Sequence, residues 1–318
     1  MKIVVLDGYA LNPGDLRWDA IAALGELTVH DRTPREQVAA RAADADIVLT
    51  NKAIVDGEII SQLPKLKLIG VTATGINVVD VAAATARGIV VSNVPLYGTD
   101  SVAQFVFALL LALAHRVEMH SDLVLREGHW TTAPDWTFSA TPQIELAGKT
   151  FGIIGFGRIG RRVGDLAHAF GMKVLANSTT RSQMASHPFE WRTVEEIFAQ
   201  ADVVSLHCPL TASNKEFVNR ALLKRMKPTA FLINTARGPL VNEADLADAL
   251  KNGTIAGAAS DVASVEPIRP DNPLLGAKNL ILTPHMAWST KEARARLMDQ
   301  TAQNIRAFLS GSPINVVN

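Results

Sequence analysis

Residues 151–160 run Phe151-Gly152-Ile153-Ile154-Gly155-Phe156-Gly157-Arg158-Ile159-Gly160, an apolar segment that closes in G-x-G-x-x-G at Gly155, Gly157 and Gly160. A nucleotide pyrophosphate needs this arrangement. The first glycine permits a tight turn, the second lets phosphates approach the backbone, and the third lets helix and strand pack closely. The helix that follows offers free N–H groups and the positive end of its dipole. Glycine-rich turns are common, so the context carries the reading. Thr150 to Ile154 reads as a strand and Arg158 to Phe170 as a helix. Gly171 then stands past the helix end, and Lys173 to Ala176 reads as the next strand, completing one βαβ unit.

Outward from this unit, short apolar runs alternate with helical patterns. Before it the runs are Lys2–Leu6, Leu27–His30, Ile47–Thr50, Leu66–Val71 and Ile89–Val91, with helical stretches at Asp15–Leu24, Arg35–Ala43 and Val79–Arg87. After Gly148 they are Phe151–Ile154, Lys173–Ala176, Val203–His207, Ala230–Asn234, Ile255–Ser260 and Leu280–Leu282. The helices of this half include Arg158–Phe170, Lys215–Met226 and Glu243–Lys251. Unbroken Val/Ile/Leu runs between helices predict parallel sheets covered on both faces. The expected fold is α/β, with two doubly wound units. Glu127 to Leu146, with Trp130, Trp136, Pro134 and Pro142, shows no period and reads as an irregular excursion.

The chain has 318 residues, enough for about two domains, and its 48% hydrophobic content can fill their cores. Lys+Arg and Asp+Glu both total 31. That balance, without a basic stripe, argues against a nucleic-acid partner. Cys208 is the only cysteine, so no intrachain disulfide forms. The absence of CxxC and HExxH argues against a bound metal. The N-terminus reaches Asp7 too soon for a signal peptide and reads as a first strand. Val102 to Ala114 is oily all round but too short to span a bilayer, which places it in the fold or at a subunit interface. A cytoplasmic protein with no membrane partner is expected.

The segment after the second strand of the glycine unit bears on the cofactor. NAD-selecting folds usually place an acid about 20 residues after the first glycine, on the ribose 2′-hydroxyl. Here the chain reads Asn177-Ser178-Thr179-Thr180-Arg181. No carboxylate repels a 2′-phosphate, Arg181 offers it a charge, and Ser178 and Thr179 offer hydroxyls. NADP(H) is therefore favoured, with NAD(H) left open, as is a polar loop that contacts nothing.

Three residues follow strands of the second half: Arg237 in Asn234-Thr235-Ala236-Arg237-Gly238, Glu266 after Asp261, and His285 in Thr283-Pro284-His285. Ligands of open α/β sheets bind at the carboxyl ends of strands. Reduction of a 2-keto acid requires a hydride donor, which a nicotinamide supplies, a proton donor and a cation for the carboxylate. His285 suits the proton donor and Arg237 the cation. Glu266 beside His285 would favour its imidazolium form and fix its tautomer. Singly, each residue also fits a surface salt bridge or a capping role.

With these segments in view, the sequence resembles the D-isomer-specific 2-hydroxyacid dehydrogenases, close to their glycerate dehydrogenase/hydroxypyruvate reductase branch. Gly155 to Gly160, Leu206 to Thr211, Asn234 to Gly238, Asp261 through Pro267, and Thr283 to His285 carry the likeness, which runs almost end to end. The resemblance implies that His285 is the acid/base, Glu266 its partner, and Arg237 the substrate anchor. It gives Asp261 to the nicotinamide carboxamide and the backbone of Arg158 and Ile159, beside Phe156, to the pyrophosphate. His207, Cys208, Pro209 and Asn214 would border the adenosine side, and Thr235 and Ala236 the nicotinamide side. Cys208 reads as a packed residue and not a nucleophile. Thr72 to Asn77 looks like the carboxylate-binding turn, with Thr74 and Gly75 donating N–H groups, and Trp288 is a candidate for the pocket wall.

The family further implies that a Rossmann dinucleotide domain, residues 99–285, is inserted in a flavodoxin-like substrate domain formed by residues 1–98 and 286–318. The helix Val102–Ala114 would form much of a homodimer interface, and Gly128–Trp136 suits either an arm to the partner or core packing. The expected activity is reduction of hydroxypyruvate or glyoxylate to D-glycerate or glycolate. The alternatives are a D-lactate-type or other bulkier 2-hydroxyacid dehydrogenase, and a nucleotide-sensing binding protein of the same fold. The chain departs from family habit at Gln104, Asn177 and Asn214. Val71 stands where 3-phosphoglycerate dehydrogenases tend to carry arginine, which weighs against a phosphorylated substrate.

Overall fold

A strand such as Ile47–Thr50 presents apolar side chains to both faces, so it is stable only with a layer on each side. The computed structural model, which describes residues 1–181 and 185–318, builds two such sheets. The chain divides into a first unit, Met1–Gly98 with Trp288–Asn318, and a second, Thr99–Ala287. Met286 and Ala287, assigned to the first unit from sequence, belong to the second. The Asp261 carboxylate accepts both of their backbone N–H groups, at 2.9 and 2.8 Å.

In the first unit, β1 (Lys2–Val5), β2 (Glu26–Val29), β3 (Ile47–Thr50), β4 (Leu68–Val71) and β5 (Val90–Ser92) are parallel, in the order β2-β1-β3-β4-β5. This is the flavodoxin-like order. Ile3, Val5, Ile47, Leu49 and Leu68 pack on one face with Ala302 and Ile305 of the helix Lys291–Leu309. Val4, Val48, Ile69 and Val91 pack on the other with Val38, Ile59, Ile60 and Leu63. The stretch 15–24 is helical only over Asp19–Ala22. Asn12 Oδ1 accepts from the N–H groups of Gly14 and Leu16, and Asp15 pairs with Arg294, which commits that segment to a turn. Such side-chain bonds compete with helix formation.

The second unit carries β6 (Thr150–Ile154), β7 (Lys173–Asn177), β8 (Glu190–Trp191), β9 (Val203–Leu206), β10 (Phe231–Asn234), β11 (Gly257–Ser260) and β12 (Leu280–Leu282). Its seven parallel strands lie in the order β12-β11-β10-β9-β6-β7-β8. The chain runs outward from β6 in one direction, then from β9 in the other, so the switch point lies between β6 and β9. Ligands of such sheets bind at that crevice. The helix Arg158–Ala169 follows β6 directly.

Three expectations change here. β8 was not foreseen, because two residues show no period. The stretch 215–226 is helical only over Arg220–Leu223. Glu216 N–H donates to Pro239 O at 2.7 Å, and Val218 pairs with Val241 in a β-bridge, so the chain is extended before Asn219 caps the helix. The oily helix, observed as Thr99–His115, buries Ala103, Val106, Phe107, Leu110 and Leu113 in its own unit's core against Phe151 and Phe231. Its composition therefore needs no partner to explain it. Trp136 is 90% exposed and Trp130 55%, so neither tryptophan packs in the core. Among the described residues no single helix is long and apolar enough to cross a membrane. Only the pair Thr99–His115 and Val117–Leu125, bent by 53°, passes on length and composition.

One buried acid organises the carboxyl edge of the first sheet. Asp7, just past β1, accepts from Asn51 N–H at 2.9 Å, from Lys52 N–H, and from Ala53 N–H at 2.8 Å. Removing an acceptor strands buried donors, at a cost of about 1–3 kcal/mol for such a group. Asp7→Ala should therefore lower unfolding free energy by about 3 kcal/mol in urea titration. An unchanged midpoint would show that the loop re-pairs its N–H groups elsewhere.

Candidate functional site

The turn after β6 is set by its glycines. Gly155 has φ +97°, and a Cβ there would lie 2.4 Å from Cys208 N. Its N–H donates to Asn177 O at 2.9 Å. A Cβ on Gly160 would lie 2.2 Å from Gly155 O and 3.1 Å from Ile153 Cγ2, so helix and strand meet with no space between. Around Gly157 a Cβ would meet nothing within 4 Å. Gly157 is the N-cap of a twelve-residue helix whose first turn receives no side-chain cap. Open space in front of uncapped N–H groups fits a dinucleotide pyrophosphate. Arg158 is exposed and Ile159 half-buried at this turn, leaving their backbone as the point of approach. Phe156 turns its ring inward, 4.7 Å from Phe189 and 5.6 Å from Trp191, and can serve a ligand only through its backbone.

At the end of β7, Asn177 Nδ2 donates to Arg192 O at 2.8 Å. Ser178 is half-buried, while Thr179 and Arg181 are exposed. The Arg181 guanidinium lies 5.8 Å from the Trp191 ring centroid. Arg192, which the sequence reading did not include, stands beside them and pairs with Glu190.

The loop after β9 borders the glycine turn. His207 N–H donates to Ile154 O at 2.7 Å, and its Nε2 lies 2.8 Å from Ser205 Oγ. Desolvation pushes the His207 imidazole down to about 3, so it is neutral in the fold near neutral pH. Burial pushes the Cys208 thiol up, which agrees with a packed and unreactive sulfur. Asn214 fastens the same loop. Its Oδ1 accepts Thr211 N–H at 2.7 Å and its Nδ2 donates to Pro209 O at 2.8 Å, so the amide staples the loop and is engaged there.

The chemistry-bearing residues follow β10, β11 and β12. Asn234 Oδ1 accepts Ala236 N–H at 3.0 Å and its Nδ2 donates to Arg237 O at 2.9 Å. This closes the turn that presents half-buried Arg237. The Thr235 hydroxyl is buried there with no hydrogen-bond partner among the described residues, which fits a polar ligand group at this edge. Asp261, 1% exposed, accepts from Thr283 Oγ1 at 2.6 Å as well as from Met286 and Ala287 N–H. Its carboxylate thus shapes the turn carrying His285, a task the sequence did not reveal beside the carboxamide role. His285 sits at φ +53°, in the left-handed region. Its Nδ1 lies 2.6 Å from Glu266 Oε2, with side chains 26% and 35% exposed. Asn234 and Thr283 were also missed. A side-chain amide two residues before a turn was the available signal for Asn234.

In the first unit, Thr74 Oγ1 donates to Val94 O at 3.0 Å, so the Thr74 hydroxyl is engaged and the residue's backbone N–H is what it can offer an anion. Asn51 Nδ2 donates to Thr72 O and ties the turn to the Asp7 loop. Trp288 packs edge-on to Tyr97, with centroids 6.0 Å apart.

Comparisons with known proteins agree with this geometry. The family model described as D-isomer specific 2-hydroxyacid dehydrogenase, NAD binding domain, matches residues 107–287. A hydroxypyruvate reductase of Blautia hydrogenotrophica is 50% identical over 322 residues, covering 100% of this chain and 100% of its own. A glycerate dehydrogenase of Methylorubrum extorquens is 43% identical over 284 residues, 89% of this chain and 88% of its own. Among solved structures, the NADPH-dependent glyoxylate/hydroxypyruvate reductase of Sinorhizobium meliloti, in complex with NADP and malonate, matches with TM-score 0.83 and 30% identity. That match covers 99% of this chain and 96% of the other.

The glycine turn gives a direct test. Gly155→Ala forces a side chain into positive φ, costing about 1–3 kcal/mol, and against the Cys208 backbone. The variant should melt at lower temperature and lose nicotinamide dinucleotide binding in a fluorescence titration. Retained affinity would remove the turn from the cofactor site.

Proposed function

The chain belongs to the D-isomer specific 2-hydroxyacid dehydrogenases, enzymes with a nicotinamide cofactor, and from that premise we propose that it reduces hydroxypyruvate and glyoxylate to D-glycerate and glycolate, favouring NADPH over NADH. The observation that carries the reading is the 2.6 Å contact between His285 Nδ1 and Glu266 Oε2. It holds one ring nitrogen against a carboxylate and leaves Nε2 as the atom that exchanges a proton with substrate.

The bound cofactor supplies the hydride. The Gly155–Gly160 turn and the first N–H groups of its helix hold the pyrophosphate. Arg237, its turn closed by Asn234, binds the substrate carboxylate through a planar fork and polarises the carbonyl. His285 donates a proton from Nε2 to the keto oxygen during reduction and takes it back in the reverse direction. Glu266, held against Nδ1, fixes which nitrogen faces the substrate. Asp261 keeps the turn under His285 in place and has lone-pair capacity left for the carboxamide. In the first unit, the backbone N–H groups of Thr74 and Gly75 are the candidate donors to an anion.

Small keto acids are favoured by the names of the relatives, hydroxypyruvate reductase and glycerate dehydrogenase. NADPH is favoured by Asn177 and Arg181 and by the NADP complex of the Sinorhizobium enzyme. A homodimer would cover what the fold leaves open of the helix Thr99–His115, where Ala108 is exposed and Phe105, Leu111 and Ala112 are half-buried. Light scattering of the purified protein tests this.

NADPH oxidation against a panel of hydroxypyruvate, glyoxylate, pyruvate and phenylpyruvate tests the substrate. Preference for either of the last two would replace this reading with the bulkier or D-lactate-type one. His285→Ala should cut reduction by about two to four orders of magnitude and leave cofactor affinity intact. Near-normal turnover would reject His285 as the acid. Asn177→Asp places a negative charge at the ribose and loses the donor to Arg192 O. The ratio of kcat/KM values should move towards NADH. A parent enzyme that already prefers NADH strongly would overturn the role given to Asn177 and Arg181.

A further inference from the structure

We propose that Glu243, which the reaction does not use directly, is a positioning residue for the Glu266–His285 pair; the inference rests on the reading of His285 as the acid. Glu243 opens the helix Glu243–Lys251, 21 residues before the loop it grips. Its Oε1 accepts Ser264 N–H at 2.7 Å. Its Oε2 accepts Ser264 Oγ at 2.5 Å and Asn272 Nδ2 at 2.8 Å. Asn272 is itself anchored, with its Oδ1 accepting Leu274 N–H at 2.9 Å.

The gripped loop runs from β11 to Glu266. On its other side lies the Gly238 backbone, so close that a Cβ there would sit 2.0 Å from Ala263 C and O. Ala263 and Ser264 are thus held between Gly238, the residue after Arg237, and the Glu243 carboxylate. Ala263 N–H then donates to Glu266 Oε1 at 3.1 Å, while Glu266 Oε2 faces His285 Nδ1. The path runs from Glu243 through the Ser264–Ala263 backbone to Glu266 and from there to His285. Among the described residues Glu243 is the side chain bonded to Ser264, so its loss frees the outer side of the loop and loosens the approach of Glu266.

Two carboxylates meet the turn that carries His285: Glu266 at Nδ1, and Asp261 at the backbone N–H groups of Met286 and Ala287. Reduction takes the proton from Nε2, so a displaced Glu266 leaves the imidazole poorly aimed at the keto oxygen and slows the step.

The test measures kcat and KM of keto-acid reduction under conditions where deuterated hydride shows that chemistry limits the rate. Glu243→Ala should lower kcat about tenfold, in the direction that Glu266→Gln lowers it, with keto-acid KM and NADPH affinity little changed. Glu243→Gln keeps the acceptor for Ser264 N–H and should restore most of kcat. In a Glu266→Gln background, Glu243→Ala should lower kcat no further, because it acts through Glu266. A kcat equal to the parent's, or losses that multiply in the double variant, would overturn the proposal. Should Glu243→Ala fail to fold, Ser264→Ala removes one of the same bonds and is read the same way. The two readings fail separately. An active His285→Ala overturns the acid assignment, whereas an inactive one beside an unchanged Glu243→Ala kcat overturns only the role of Glu243.

Discussion

At Gly155 and Gly238 one loop's backbone lies directly on the next, with a Cβ excluded at 2.4 Å by Cys208 N and at 2.0 Å by Ala263 C. Both contacts come from a single cause. Every strand of the second unit is parallel, so every loop that follows a strand emerges at the same edge. Strands about 4.8 Å apart leave neighbouring loops no room for side chains between them. The loop after β6 therefore presses on the loop after β9, and the turn after β10 on the loop after β11. Crowding of this kind restricts which residues fit. It also turns each loop into the wall of its neighbour, so the positions of Arg237 and Glu266 are set by backbone packing, which the Asn234 and Glu243 side chains fasten.

The turn carrying His285 shows how such an edge tolerates local strain. A non-glycine residue in the left-handed region costs about 1–2 kcal/mol. Thr283 Oγ1 and the N–H groups of Met286 and Ala287 all point at Asp261, which is buried. Hydrogen bonds to a charged acceptor are worth about 1.5–3 kcal/mol each, so three of them outweigh the strain. The side chain is thereby aimed without being packed. His285 remains partly exposed and able to meet a substrate, while the groups that orient it lie beneath it.

This arrangement explains what could be read in the sequence. The buried strands were legible as unbroken apolar runs, and helices such as Glu243–Lys251 by the period that burial imposes. Gly155 and Gly160 were legible because only glycine fits the close backbone contacts there, and Gly157 as the middle member of the same motif. Arg237, Glu266 and His285 were visible as chemistry-bearing residues after strands. Asp15–Leu24 and Lys215–Met226 were overread as helices because contacts that shorten them, from Arg294 and Val241, come from residues distant in sequence. Thr283 and the turn-shaping task of Asp261 escaped for the same reason, since 22 residues separate the two. A hydrogen bond from a side chain to a loop backbone has no periodic signature, which is why the local task of Asn234 was missed.

The His285–Glu266 contact is short but not deeply buried, with about a quarter of one side chain and a third of the other exposed. Ion pairs at such sites gain little from Coulomb attraction alone, typically 0–1 kcal/mol at the surface. Its value to the chemistry therefore lies in direction more than in energy. Glu266 has one oxygen tied by Ala263 N–H and presents the other to Nδ1. The imidazole is thus held with a defined nitrogen facing outward through each exchange of its proton. A general acid in this setting depends on whatever holds its partner in line, and in this chain that duty falls to the packed backbone at Gly238 and Ala263 together with the Glu243 carboxylate that fastens Ser264.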